Sequence, residues 1–187
     1  MAFCLNFARV AGFHMQDLGF TSLNRIKSKR GDKMAIQKIL LAYNFTSLDQ
    51  KAIDFVSSAF AHVDGVEITI FHAFTSVPDI ETGGGLVTGK LKGSLNYLSQ
   101  QIMQRENDLK SVTEKLAQNG FPADRIHTVF RPRKKDIAGE IISLTRDSKF
   151  DVIVLNRKAA RVARFFSGSV SNKVVMTIKD ATVCIVS

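Results

Sequence analysis

Residues 151–187 read DVIVLNRKAARVARFFSGSVSNKVVMTIKDATVCIVS. The stretch opens on an apolar run, Val152 to Leu155, and turns basic through Arg157, Lys158, Arg161 and Arg164. It breaks at Ser167-Gly168-Ser169, resumes at helical spacing in Val170, Val174 and Ile178, and closes on the β-branched run Thr182 to Val186. The order is strand, basic loop, helix, strand. A Gly-Ser turn opening a helix after a buried strand suits phosphate, because free backbone N–H groups and the helix dipole favour an anion there. Gly168 and Ser169 also suit a helix start and cap with no ligand. Both readings stay open from spacing alone.

Working back towards the N-terminus, the same alternation recurs. Ile39 to Tyr43 is a continuous apolar run, as in a strand covered on both faces. Thr46 or Ser47 is placed to cap a helix whose apolar face is Ala52, Phe55, Val56, Ala59, Phe60 and Val63. Val66 to Phe74 is a second strand, and the βαβ unit so formed requires parallel strands and a right-handed crossover. Thr75 to Gly93 reads as a loop. Its Gly84 and Lys90 match the start of a phosphate-loop pattern, but position 91 is Leu where a magnesium-binding hydroxyl belongs. Leu95 to Gln118 is a long helix with Leu95, Leu98, Ile102, Leu109, Val112 and Leu116 in register. Arg125 to Phe130 is a third strand and Lys134 to Asp147 a further helix. The pattern predicts an α/β, doubly wound, Rossmann-like domain with a five-stranded parallel sheet and helices on both faces. Ligands of such sheets lie at the C-terminal strand ends, here Asn44, the loop after Phe74, Arg131, and Asn156 onward.

Residues 1–33 do not share the alternation. They carry Arg9, Arg25, Lys27, Lys29, Arg30 and Lys33 against Asp17 and Asp32. Residues 1–36 are therefore expected to be a poorly ordered basic leader before a domain over 37–187. Met34, directly before the first strand, is the expected initiator. No compact apolar segment of the secretory type occurs there.

The 187 residues, 45% hydrophobic, suffice for one domain with a real core. No apolar run reaches the roughly 20 residues that span a bilayer. The two cysteines, Cys4 and Cys184, imply no disulfide framework, and a cytoplasmic location is expected. The four histidines, 14, 62, 72 and 127, show no ligand spacing, so no metal site is expected. His72, late in the second strand, is the one placed to border a ligand. The net charge of +9 favours anionic partners without choosing among them. There is no Gly-x-Ser-x-Gly elbow and Ser169 has no evident base, so no catalytic constellation is read.

Three segments resemble the universal stress protein family: KILLAYNFTSLDQKAIDFV, VFRPRKKDIAGEII and FSGSVSNKVVMTIKDATVCIVS. The last is the most specific, since Gly-Ser-Val-Ser/Thr opens the family's final helix. The resemblance covers Gln37 to Ser187. It implies strand order 3-2-1-4-5 and a homodimer, often paired through the last strand, here Thr182–Val186. That segment is also an apolar strand suited to a sheet edge.

The family's ATP-binding pattern is Gly, two residues, Gly, nine residues, Gly, Ser/Thr. Gly168-Ser169 matches its last pair. An ungapped count puts Leu155 and Lys158 where glycines belong, and a one-residue gap puts Asn156 and Ala159 there. The family's acidic residue after strand one aligns with Asn44. ATP is thus the ligand implied, through Asn44, Arg131, Asn156, Lys158, Gly168, Ser169, Val170 and Ser171, and no cofactor is certain. Three functions remain: a non-enzymatic dimeric regulator with weak or absent ATP binding; an ATP-binding member whose cationic loop replaces the glycines; or an α/β domain that binds nucleic acid. Few aromatics accompany the cations, only Phe130, Phe165 and Phe166, which counts against the third. Protein partners are not named by the sequence.

Overall fold

The computed structural model describes residues 3–4, 37–77, 88–157 and 170–187. In chain order the elements are β1 (Phe3–Cys4), β2 (Gln37–Ala42), α1 (Asp49–Phe60), β3 (Val66–Phe74), α2 (Thr88–Gln118), β4 (Ile126–Pro132), α3 (Ile137–Ser148), β5 (Val152–Asn156), α4 (Val170–Thr177) and β6 (Thr182–Val186). They form one sheet in the order β1-β6-β5-β2-β3-β4. Its five parallel strands, counted from β2, run 3-2-1-4-5, as the resemblance implies.

Period-two alternation builds both faces. Ile39, Leu41, Ile68, Ile70 and Val154 pack beneath α1 and α2, against Ile53, Val56, Leu109 and Leu116. Leu40, Phe71, Ile153 and Leu155 pack against Ile141 and Leu144 of α3 and Val174 of α4. A sheet covered on both sides needs apolar residues at consecutive positions, which is why Ile39-Leu40-Leu41 is unbroken.

The sheet carries one short strand beyond the five parallel ones, and three expectations need correction. A sixth strand exists: β1 pairs antiparallel with β6, Phe3 opposite Ile185 and Cys4 opposite Cys184. The C-terminal edge expected to bind a second subunit therefore carries a strand of its own chain at those positions. The span read as a loop to Gly93 is helical from Thr88. Gly93 had marked the boundary, yet a helix tolerates one glycine at about 1 kcal/mol, and a Cβ there would meet nothing within 4 Å.

Next, α1 is capped by neither Thr46 nor Ser47. Leu48 occupies the cap position without a side-chain bond. The buried face of α1 is Asp49, Ala52, Ile53 and Val56, whereas Ala59 is exposed and Val63 lies 46% exposed beyond the helix. Last, α3 starts at Ile137 rather than Lys134, because the Asp136 side chain caps it by accepting from the Gly139 amide at 3.1 Å. No described helix is long and apolar enough to cross a membrane.

Candidate ligand site at the sheet switch point

The chain passes from β2 to β3 on one side and returns to β5 on the other, so the crevice lies at the C-terminal ends of β2 and β5. A cavity of about 350 Å³ opens there. Phe71, Ile137, Ile141 and Leu155 make its apolar wall, and Asn44, Thr46, His72, Asn156, Arg157 and Ser171 supply polar groups.

The polar side is organised by a residue that the sequence reading did not single out. Asp49 is fully buried. Its carboxylate accepts from the Thr46 amide at 2.5 Å, the Asn44 amide at 3.3 Å and the Thr46 hydroxyl at 3.3 Å. The side-chain amide of Asn156 donates to it from the end of β5. One carboxylate thus ties the β2–α1 turn to β5 across the switch point. The turn is tight: Phe45 sits at φ 55°, a region that a bulky side chain occupies only when its surroundings impose it. Burial raises the pKa of Asp49, against the lowering effect of the amides of Thr46 and Asn44. The available signal was position: Asp49 falls in the same helical register as Ala52, Ile53 and Val56, where an apolar residue is expected.

His72 is buried at the cavity wall, as its place late in the strand suggests. Its Nδ1 bonds the Tyr43 carbonyl at 2.8 Å, while Phe45 meets the ring edge-on and Phe130 stacks on it. Burial lowers its pKa, Arg105 adds to that, and the Tyr43 bond and Asp49 oppose it. The ring is therefore neutral in the fold, with Nδ1–H as donor. Because the folded value lies below the ordinary one, the unfolded chain protonates first as pH falls, and stability drops there. The denaturation midpoint should fall between about pH 7.5 and 5.5, and His72→Phe should flatten that slope. Equal slopes in the two proteins would show that His72 does not cause it.

The remaining site residues divide. Asn44 is exposed at the cavity mouth, and Val170 and Ser171 line the cavity from the first turn of α4. Asn156 is present but turned to Asp49. Arg131 is engaged elsewhere: it pairs with Glu140 at 3.0 Å and its guanidinium lies 5.7 Å from the Phe71 ring centroid. Glu140, 5% exposed, also accepts from the amides of Lys134 at 2.8 Å and Lys135 at 2.9 Å. The Lys135 ammonium bonds the Ser143 hydroxyl at 3.2 Å. These contacts use part of the basic cluster after β4 to build the β4–α3 turn. Lys158, Arg161, Arg164, Gly168 and Ser169 lie outside the described residues.

The two glycine registers fall at different places on β5. Leu155 is 3% exposed inside β5, paired with Ile185, so the ungapped register would put a phosphate-turn glycine within a core strand. Asn156 is the last residue of β5, where a turn begins.

A family model described as the universal stress protein family matches residues 35–184. The universal stress protein UspA from Lactobacillus plantarum superposes with a TM-score of 0.58 at 16% identity, covering 82% of this chain and 99% of that one. A universal stress protein from Archaeoglobus fulgidus, solved in complex with dAMP, gives 0.55 at 13% identity, covering 82% and 100%. A universal stress protein in complex with cAMP gives 0.54 at 17% identity, covering 82% and 98%. At these identities the likeness is one of fold. No curated protein sequence matches the chain significantly.

Proposed function

Because the chain belongs to the universal stress protein family, we propose that it is a non-enzymatic regulator, active as a homodimer, whose switch-point cavity binds adenine nucleotide only weakly. The observation that carries this reading is the Asp49–Asn156 brace. Asn156 stands where the gapped register of the ATP pattern requires glycine, and its side chain is spent on Asp49. A glycine there would let backbone N–H groups wrap close to a phosphate, and asparagine adds bulk at that point. Among the described residues lining the cavity none is a carboxylate, so the metal-binding acid of an efficient ATPase has no counterpart there. The apolar wall and the start of α4 still suit a nucleotide of modest affinity. Relatives of this fold were solved with dAMP and cAMP, ligands with a single phosphate group and less need of a long glycine cradle.

The test is to denature the purified full chain, identify released small molecules by mass spectrometry, and titrate ATP into the emptied, refolded protein. The wild type should release no stoichiometric ATP. The double variant Asn156→Gly, Ala159→Gly should bind ATP at least about tenfold more tightly, the equivalent of about 1.4 kcal/mol. Stoichiometric ATP from the wild type would favour instead a cationic loop that replaces the glycines.

A further inference from the structure

His72 stands at the centre of an aromatic cluster. Phe45 meets its ring edge-on with centroids 4.7 Å apart, and Phe130 stacks on it at 5.8 Å. Phe74 stacks on Phe130 at 4.6 Å, and Tyr43 meets Phe45 edge-on at 5.1 Å. The residue is 6% exposed, and its two ring nitrogens are treated unequally. Nδ1–H donates to the Tyr43 carbonyl. Nε2 is buried and has no hydrogen-bond partner among the described residues. In the neutral ring that bare lone pair has lost only its water. A proton on Nε2 is far less tolerable, because it adds a donor without an acceptor and a full charge inside an apolar shell.

The charged groups around the ring do not offset that charge. From α2, Arg105 sets its guanidinium 5.7 Å from the Phe45 centroid and repels a second cation. From α1, Asp49 attracts one, but its carboxylate is committed to the Asn44 and Thr46 amides and to Asn156. Asp108 of α2, with Asp49, acts on the Tyr43 phenol. Among the described residues no other ionisable group acts on the ring. Of the rings that seal it, Phe130 is fixed opposite His72 in the β3–β4 ladder. Phe45 belongs to the β2–α1 turn, outside any ladder, at a φ of 55° that persists only while its surroundings impose it. The same turn carries Asn44 and Thr46 at the cavity. We propose that His72 is a proton-operated latch on the mouth of that cavity. Neutral, it holds the turn shut through the Tyr43 carbonyl and the Phe45 ring. When Nε2 takes a proton from solvent, Phe45 swings away, water accepts from the new N–H, and the turn carrying Asn44 and Thr46 opens. The latch acts whatever ligand enters the cavity, so failure to bind nucleotide has no bearing on it.

The experiment is amide hydrogen exchange of the full chain by NMR between about pH 7.5 and 5.5, each rate divided by that of an unstructured peptide at the same pH. The open turn has an ordinary histidine and the closed turn one of lowered pKa, so opening takes up a proton across this range. Protection of the Asn44 and Thr46 amides should therefore fall about tenfold. It should also stay below that of the Leu40 and Leu41 amides at the centre of β2 throughout, as a local opening requires. His72→Gln retains a side-chain N–H for the Tyr43 carbonyl and cannot titrate, and His72→Phe retains a ring. Neither variant should show the fall. Turn protection that does not change with pH in the wild type overturns the proposal, and so does an equal fall in both variants. Turn amides as well protected as those of Leu40 and Leu41 also overturn it, because they would then exchange only through global unfolding.

Discussion

Replacing Glu140 with alanine is expected to cost about 3 kcal/mol of stability and roughly 6–12 °C in melting temperature. The carboxylate is 5% exposed and accepts three hydrogen bonds, from the Lys134 and Lys135 amides and the Arg131 guanidinium. Its removal leaves two backbone donors at the β4–α3 turn without an acceptor, at about 1–3 kcal/mol each where water cannot reach. The guanidinium adds less, because the Arg131 side chain is 36% exposed and solvent takes up part of its charge. Glu140→Gln keeps an acceptor oxygen and should cost about half as much. Burial pushes the carboxyl pKa up, but the two amides and Arg131 together hold it below its usual value. Its contribution is therefore present above the ordinary carboxylate pKa and is lost as pH falls through the lower folded value. Denaturant unfolding of both variants at neutral and acid pH checks this. A loss under about 1 kcal/mol for Glu140→Ala would mean that the turn forms without it.

The second large effect is expected at Asp49. Asp49→Ala should cost about 2–4 kcal/mol, because the Asn44 and Thr46 amides and the Asn156 side chain all lose their acceptor. The loss concerns the site as well as the fold. Phe45 is held at φ 55° by the turn that Asp49 closes, and with that constraint gone the turn is expected to relax into the cavity. Hydrogen exchange should report the change locally, with the Asn44 and Thr46 amides losing protection and those at the centre of β2 retaining it. Uniform loss of protection would show global destabilisation alone.

The pH dependence has the opposite sign from that of Glu140. Burial raises the folded pKa of Asp49, so the folded state binds its proton first, and acidification from the raised value towards the ordinary one favours folding through this group. Asp49→Asn removes that term while keeping an acceptor. Its stability should fall more steeply on acidification than that of the wild type.

Much of the architecture was legible because it depends on near neighbours in the chain. Ile39-Leu40-Leu41, Val66 to Phe74 and Val152 to Leu155 read as strands covered on both faces, and the helical segments between them imply parallel pairing. That argument also located the switch point, and with it Asn44 and Asn156, both of which line the cavity. Helix ends were less legible. Gly93 reads as a boundary and Thr46 as a cap, yet α2 runs through Gly93 and both the amide and the hydroxyl of Thr46 donate to Asp49, with Leu48 at the cap position.

Sequence by itself determined the α/β class, the five parallel strands and the end of the sheet where the cavity opens, because hydrophobic period and connection length are local properties. Only the tertiary structure decided which polar groups line the cavity there. Asn156 is 107 positions from Asp49, and Arg131 meets a glutamate that faces it only after β4 and α3 have packed together. A basic residue at a strand end reads the same whether it meets a phosphate or a buried carboxylate. The difference lies in a partner brought close by folding, and burial makes satisfying that partner obligatory.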